Sequence, residues 1–263
     1  MFIYIFIIQA LLNLSVLCDF SCYDCSENIL DYTLTDETVP TQFNNCTLVT
    51  GRLYCYIHVQ WEQNPAKTKL QISGYQYWKL DIMGHDLEAR ASISYDESQL
   101  KWSKVIRYRC LTNECNSPTR LTYLLKSLKF VNRLEQLQYL IEPNETFDGQ
   151  GCLVYYNETG KQISLPTQVH RSAPQQCRTM IKIEPKRKVI NAERLSIQRD
   201  LNSLKHYIEI DINNRIRSSN LYITCQKADC NSLNTVDLIY RNSFVDFNME
   251  KFIDQTSNNS QAT

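Results

Sequence analysis

Histidine and glycine are scarce in this sequence, with four histidines and six glycines among 263 residues. It has no Gly-x-Ser-x-Gly motif, no His-Glu-x-x-His motif and no glycine loop that could cradle a phosphate. Acid pairs such as Asp81 and Asp86 occur in almost any protein. No two histidines have a metal-ligand spacing; they are His58, His85, His170 and His206. We therefore expect no enzyme, no cofactor and no metal site.

An excess of charge is also lacking, because 28 basic residues balance 28 acidic residues. A nucleic-acid-binding protein or a protein bound to an anionic membrane normally carries a basic surplus. We expect neither partner, and we expect partners to be bound through shape and apolar contact.

The apolar amino-terminal segment, residues 1–17, is too short to cross a membrane as a helix, which needs ~20 residues. We expect residues 1–18 to be a signal peptide that is cleaved after Cys18, although its start lacks Lys and Arg. A retained anchor is the alternative. After cleavage we expect no transmembrane segment, and the polar residues 254–263 predict a disordered tail rather than a lipid-anchor signal.

Cysteine is abundant, with eleven residues, and removal of Cys18 leaves ten. An even number in a chain with a leader is typical of a secreted, disulfide-bonded protein. Glycosylation sequons outside the leader agree with this, and they lie at Asn45, Asn144, Asn157 and Asn258. We expect a secreted, extracellular glycoprotein.

A short motif occurs twice: Cys110 and Cys115-Asn116 return 115 residues later as Cys225 and Cys230-Asn231. A strand-like run precedes each copy, as residues 105–110 and 220–225. The repetition indicates a duplicated unit closed by disulfides. We predict two tandem antiparallel β domains, at residues 19–117 and 149–232.

A helical extension is predicted after each β domain, at residues 118–148 and 233–253. Apolar residues between Leu121 and Ile141 recur every three or four positions, and Ser117-Pro118 is a helix start signal. The first extension is expected to be an amphipathic linker that docks on the β domains. The alternative is a homodimer, or an extracellular self-assembly, through residues 121–141.

The disulfide pairing is inferred by aligning the two units. Cys22 and Cys55 align with Cys152 and Cys177, whereas Cys25 and Cys46 have no counterparts. Cysteines that are absent together are expected to be bonded to each other. The expected pairs are Cys22 with Cys55, Cys25 with Cys46, Cys110 with Cys115, Cys152 with Cys177, and Cys225 with Cys230. A redox Cys22-x-x-Cys25 motif or a zinc site is the alternative, and both need reduced thiols.

These features resemble the Ly6/uPAR (three-finger) domain family over residues 20–116 and 151–231. The shared elements are the Cys-x-x-Cys opening with Tyr23, the bridge back to a central strand, and the closing Cys-x4-Cys-Asn. Arg109 and Thr224 stand where the family usually has a further cysteine. The resemblance implies a mainly β, disulfide-rich fold with two three-finger-like domains. It also implies that Asn116 and Asn231 fasten the last loop of each domain to its first strand.

The resemblance implies a non-enzymatic extracellular binding protein that contacts another protein or a receptor through its hairpins. The partner and the direction of its effect are not encoded in any motif. The aromatic residues 75–78 are a further contact candidate. The expected hairpin tips are His85-Asp86, Asp96-Glu97-Ser98, Lys186-Arg187-Lys188 and Asn213-Asn214-Arg215. A secreted enzyme of unknown class and a self-assembling structural protein are the alternatives.

Overall fold

The structure, a computed structural model, describes residues 20–25, 27–43, 45–63, 66–76, 84–96, 99–144, 146–158, 161–163, 175–196 and 202–259. The expected leader, Cys18, Trp78, Asp81, the Glu97-Ser98 tip and His170 lie outside these residues. The described chain is mainly β and contains five disulfides.

The chain consists of two consecutive halves that contain similar sets of strands and helices. The first half contains β1 (Phe20–Cys25), β2 (Asn28–Leu30), β3 (Cys46–Arg52), β4 (Tyr54–Gln63), β5 (Ala66–Tyr75), β6 (Asp86–Asp96), β7 (Gln99–Cys110), α1 (Pro118–Ser127), β8 (Leu128–Asn132) and a 3-10 helix (Leu134–Leu140). The second half contains β9 (Tyr155–Glu158), β10 (Lys161–Ile163), β11 (Gln175–Glu184), β12 (Arg187–Ser196), β13 (Ser203–Asp211), β14 (Ile216–Cys225), α2 (Leu233–Asn242), β15 (Ser243–Phe247) and α3 (Met249–Asn259).

The two halves share one sheet of eleven strands, in the order β10-β9-β12-β11-β14-β13-β6-β7-β4-β5-β2. Strand β13 of the second half pairs antiparallel with β6 of the first, from Ser203 opposite Ser94 to Asp211 opposite Asp86. We call this strand pair the seam. The sequence predicted two tandem β units but did not predict that they join edge to edge.

The seam has an approximate two-fold axis. Arg90 pairs with Val105 inside the first half, and Tyr207 pairs with Asn220 inside the second. Val105 and Asn220 are separated by the repeat length of 115 residues, so Arg90 and Tyr207 are equivalent positions. These two residues also lie opposite each other across the seam. The halves therefore meet as the subunits of a symmetric dimer do.

A two-stranded ribbon forms a second symmetric contact between the halves. Strand β8 pairs with β15, and Phe130 lies opposite Val245, its own counterpart 115 residues later. Strand β15 packs against β13 and β6, so the ribbon covers the inner face of the seam. Alternate side chains of β6 point into this core, and Leu87, Ala89, Ala91 and Ile93 are buried.

The predicted amphipathic helical linker at 118–148 is only partly helical. Helix α1 begins as expected, with Ser117 Oγ accepting a hydrogen bond from the Arg120 amide and Pro118 in the first turn. It ends at Ser127, and the chain continues as strand β8. Phe130 and Val131 have high β propensity, and pairing with β15 satisfies the backbone groups that a longer helix would have satisfied internally. The leucine spacing was correct for burial but not for one continuous helix.

The second extension differs from its prediction in the same way. The expected helix at 233–253 is interrupted by β15, and the expected disordered tail from residue 254 is helical as far as Asn259. Helix α3 packs on α1, and its Phe252 ring contacts Tyr108 at a centroid distance of 5.7 Å. This packing buries Phe252 and explains why the polar segment that follows it is helical.

The apolar stripe proposed as a homodimer surface lies inside the molecule. Its fully or almost fully buried members are Leu121, Leu124, Leu134, Leu137, Leu140 and Ile141. These side chains stabilise the fold of a single chain and are not available to a second copy.

Disulfides connect the same cysteines that the alignment of the two halves paired. The bonds are Cys22–Cys55, Cys25–Cys46, Cys110–Cys115, Cys152–Cys177 and Cys225–Cys230. Cys22 and Cys25 bond to different partners and so do not form a redox pair with each other.

Asn116 and Asn231 are completely buried and anchor the two closing loops. The Asn116 side chain accepts a hydrogen bond from the Tyr23 amide at 2.9 Å and donates one to the Tyr23 carbonyl at 2.8 Å. Asn231 makes the same two bonds with Leu153, at 2.8 and 3.0 Å. Each asparagine side chain thus bonds the backbone of the residue after the opening cysteine, Tyr23 or Leu153, as a neighbouring strand would.

Candidate functional site

Three of the four hairpin tips expected from the sequence meet around one groove of about 730 Å³ at the end of the seam. Asp86 comes from the first tip, Lys186 and Arg187 come from the tip between β11 and β12, and Asp211 and Ile216 flank the Asn213-Asn214-Arg215 tip. We call this the seam groove. Asp96, the described residue of the fourth tip, lies at the opposite end of β6.

The floor of the seam groove contains two pairs of like charges that lie directly opposite each other. Asp86 is opposite Asp211, and Glu88 is opposite Glu209, two positions further along the same face. Like charges at directly opposed positions of a sheet are destabilising. The repulsion within these two pairs reduces the stability of the seam.

The two carboxylates of the first half are neutralised by neighbouring arginines. Asp86 accepts two hydrogen bonds of 2.6 Å from the Arg109 guanidinium, and Glu88 accepts one of 3.1 Å from Arg107. Burial nevertheless outweighs the Arg109 contact, so the pKa of Asp86 lies above its ordinary value. The Asp86–Arg109 pair fixes the first-half side of the groove floor.

The two carboxylates of the second half have no basic partner within ion-pair distance in the described part of the chain. Glu209 accepts weak hydrogen bonds from Ser218 Oγ at 3.3 Å and Asn220 Nδ2 at 3.5 Å. Burial raises the pKa of Asp211, but hydrogen bonds from Asn214 outweigh that effect and lower the pKa. Asp211 therefore stays ionised, and the floor of the groove carries uncompensated negative charge.

The rim of the seam groove is basic and also presents an apolar side chain. Residues 185–188 are all exposed: Lys186 lies in the turn, and Arg187 and Lys188 begin β12. Arg187 pairs with Glu158 at 2.8 Å. Ile216 is 49% exposed at the groove. An exposed isoleucine between an acidic floor and a basic rim provides apolar area and charge for contact with another polypeptide.

The described part of the predicted aromatic contact segment packs within the protein. Tyr75 stacks on Tyr54 at 5.0 Å and meets Tyr56 edge to face at 5.6 Å. Tyr77 and Trp78, the other aromatic residues of this segment, lie outside the described residues. Tyr75 and Gln76, the described part of the segment, do not line the seam groove.

The three described histidines occupy separate environments. His58 is half-buried in β4, and its Nε2 has no hydrogen-bond partner in the described residues. His85 Nε2 lies 2.6 Å from the Tyr108 hydroxyl. His206 is buried; its Nδ1 donates to the Ser243 carbonyl at 2.9 Å, and its Nε2 accepts from Ser219 Oγ at 3.1 Å. Burial lowers the pKa of all three.

One group of potential metal ligands exists in the described chain, formed by the sulfur atoms of Cys177, Cys225 and Cys230, which lie within 4.8 Å of one another. All three are in disulfides, and a disulfide sulfur cannot act as a thiolate ligand. The cluster is a packing contact of neighbouring bridges.

The predicted glycosylation asparagines differ in accessibility. Asn45 and Asn144 are exposed, and Asn144 Oδ1 accepts hydrogen bonds from the Thr146 amide and hydroxyl. Asn157 is half-buried, and its Nδ2 donates to the Tyr155 hydroxyl at 2.7 Å. Asn258 lies in α3.

No protein-family model, no curated protein and no solved structure matches this chain. In the described residues, no helix combines the length and the apolar character needed to cross a membrane.

The acidic residues of the seam were missed by sequence reasoning, apart from Asp86. Each strand shows a carboxylate at alternate positions, Asp86 and Glu88 in one and Glu209 and Asp211 in the other, which places each pair on one face. The two carboxylate pairs oppose each other because β6 pairs with β13, and no local sequence pattern predicts that pairing.

Proposed function

We propose that this chain is a secreted, non-enzymatic extracellular protein of the Ly6/uPAR type that binds a protein partner through the seam groove. The five disulfides support an oxidising, extracellular environment. The buried closing asparagines and the paired Cys-x4-Cys loops support the family relationship.

The observation that carries the proposal is the pair of opposed carboxylates in the groove, Asp86 with Asp211 and Glu88 with Glu209. Such an arrangement costs stability, and a destabilising local arrangement is typical of a functional surface. A basic side chain of the partner would neutralise Glu209 and Asp211, while Ile216 would supply apolar contact. The partner is therefore a protein surface with at least one exposed lysine or arginine.

The test is a binding screen of the purified protein, multimerised for avidity, against a panel of receptor ectodomains. Any partner found is then measured with the double variant Glu209→Arg, Asp211→Arg. We expect its affinity to fall by at least ~10-fold, because like charges would then meet at the interface. Glu142→Arg changes an exposed carboxylate outside the groove and is expected to bind as the parent does.

Equal binding of the parent and the double variant would overturn the assignment of the groove. Catalytic turnover of a substrate by the purified protein would overturn the proposal that it is not an enzyme.

A further inference from the structure

A second cavity, of about 400 Å³, lies in the first half between the inner face of the sheet and the covering segment formed by α1 and β8. Its aromatic wall consists of Trp61, Trp102 and Phe130, and Leu125 and Leu128 complete the apolar lining. We call it the aromatic cavity. Its volume is within the ~300–1,000 Å³ range of small-molecule sites.

The aromatic wall is held in place by specific contacts. Trp61 Nε1 donates a hydrogen bond to the Leu34 carbonyl at 2.9 Å, and the Trp61 and Phe130 rings meet edge to face at 5.8 Å. A cavity with fixed walls binds a ligand without first having to order its side chains.

Lys104 places a positive charge in this aromatic cavity. It lies on the same face of β7 as the buried Ile106 and Tyr108, and it is itself only partly exposed. Its ammonium is 5.8 Å from the centre of the Phe130 ring, and no carboxylate among the described residues is within ion-pair distance of it. A lysine on a core face normally has such a partner.

The second half provides an internal comparison, because the repeat length of 115 residues identifies the counterpart of each residue in β7 and β8. The counterpart of Trp102 is Arg217, which pairs with Asp246 at 2.7 Å and donates to the Val245 carbonyl at 2.9 Å. The first half has Val131 where the second has Asp246. On the inner face of the second half, Arg217 is therefore paired with Asp246, whereas Lys104 on that of the first half has no paired carboxylate among the described residues.

Three carboxylates also line the opening of the aromatic cavity, and they do not neutralise Lys104. Glu62 is bound to Lys69 at 2.8 Å, Glu135 is exposed to solvent, and Asp36 makes no ion pair with a described residue. Of the two charged lining residues that the sheet strands contribute among the described residues, Glu62 is paired and Lys104 is not.

We propose that the aromatic cavity binds a small apolar carboxylate, with the anionic group on Lys104 and the apolar body against Trp61, Trp102 and Phe130. A charge-assisted contact in a partly desolvated site, next to aromatic surface, suits an amphiphile of this class. This site is separate from the seam groove, and the proposal does not depend on the function assigned to that groove.

Isothermal titration of the intact, disulfide-bonded protein with octanoate, octanol and octyltrimethylammonium tests the charge preference, since the three probes share one apolar tail. We expect octanoate to bind about 10-fold to 100-fold more tightly than octanol, which is the usual gain from a hydrogen bond to a charged group. The cationic probe is expected to bind most weakly.

Variants locate the site. Lys104→Met should reduce octanoate affinity to that of octanol, whereas Lys104→Arg should retain the preference and serves as the folded variant if the methionine substitution unfolds the protein. Lys205→Met removes an exposed lysine from the other face of the sheet and should change nothing. Phe130→Leu should weaken octanoate and octanol alike.

Equal binding of octanoate and octanol by the parent, tighter binding of the cationic probe, or no binding of any probe would each overturn the proposal. Undiminished octanoate binding by folded Lys104→Met would overturn it as well.

Discussion

Arg90 lies directly opposite Tyr207 in the strand pair that joins the two halves, and the two residues are equivalent positions of the repeat. The pairing means that neither β6 nor β13 is a sheet edge. The backbone hydrogen bonds of each strand are completed by the other half, so the halves are expected to lose structure together.

Hydrogen exchange measured by mass spectrometry tests this coupling. Replacing Cys225 and Cys230 with serine removes a disulfide of the second half and makes no change in the first half. We nevertheless expect faster exchange in β6 of the first half, because β13 then separates from β6 more often. The matched variant lacking Cys25 and Cys46, which is remote from the seam, should leave β13 unchanged. Unaltered exchange in β6 after loss of Cys225–Cys230 would show that the halves are independent.

Removing Glu209, a seam carboxylate without a basic partner among the described residues, should stabilise the protein. Glu209→Gln eliminates the repulsion with Glu88 and removes no ion pair, so we expect the free energy of unfolding to rise by roughly 0.2–1 kcal/mol. Asp86→Asn should do the opposite, because it breaks the double hydrogen bond with Arg109. Urea unfolding of the two variants beside the parent decides the point. A loss of stability in Glu209→Gln would contradict the repulsion.

Stability should decrease in acid partly because of His85. Burial, and secondarily the charge of Arg120, lower the pKa of His85 to about 4 from its ordinary 6.5, while Asp211 acts in the opposite direction. Between these pH values the unfolded chain binds a proton that the folded protein does not, so the free energy of unfolding falls as pH falls, by up to about 3 kcal/mol. His85→Gln should flatten this part of the curve, measured by urea unfolding from pH 7 to 4. Parallel curves for the variant and the parent would exclude this role.

The disulfides should differ in their contribution to stability. On the chain-entropy relation, the Cys22–Cys55 bond, with a separation of 33 residues, contributes about 4 kcal/mol, and Cys110–Cys115, with a separation of 5, about 2 kcal/mol. Paired serine variants, compared by urea unfolding, should show this order. Non-reducing peptide mapping of the parent should find the same five pairs, and any other pairing would contradict the fold.

Asn116→Ala should be much more damaging than Asn113→Ala. Loss of the fully buried Asn116 side chain leaves the partly buried amide and carbonyl of Tyr23 without these partners, at a cost of roughly 2–4 kcal/mol. Asn113 also accepts a backbone hydrogen bond, from Ser21, but that bond is exposed and water can replace it. Thermal unfolding of both variants measures the difference, and equal losses would show that Asn116 is no anchor.

Sequence reasoning succeeded where the information is local or repeated. The Cys-x4-Cys-Asn motifs, the Ser117 helix cap and the alignment of cysteines between the halves all depend on short segments. It failed for the continuous helix, because leucines three and four residues apart become buried equally well when the chain passes from α1 into β8. The repeat correctly predicted a helix after each closing loop, with Ser117 and Ser232 as the caps, but not that both helices lead into ribbon strands.

The candidate site was only partly accessible from the sequence. Asp86, Lys186 and Arg187 were recognised as hairpin tips, but their meeting at one groove follows from the pairing of β6 with β13. That register joins residues more than a hundred positions apart, and two strands with alternating apolar residues do not reveal whether they will pair with each other.

The symmetric seam also changes how the protein responds to dilution. Two identical subunits that met through β6 and β13 would separate at low concentration, because their association would follow mass action. Here both partners belong to one polypeptide, so the effective concentration of one for the other is constant. A protein that functions at low abundance keeps its paired surface intact under this arrangement. Because the halves are separate parts of one sequence, each can also acquire its own substitutions. Lys104 in one half and the Arg217–Asp246 pair in the other illustrate this difference.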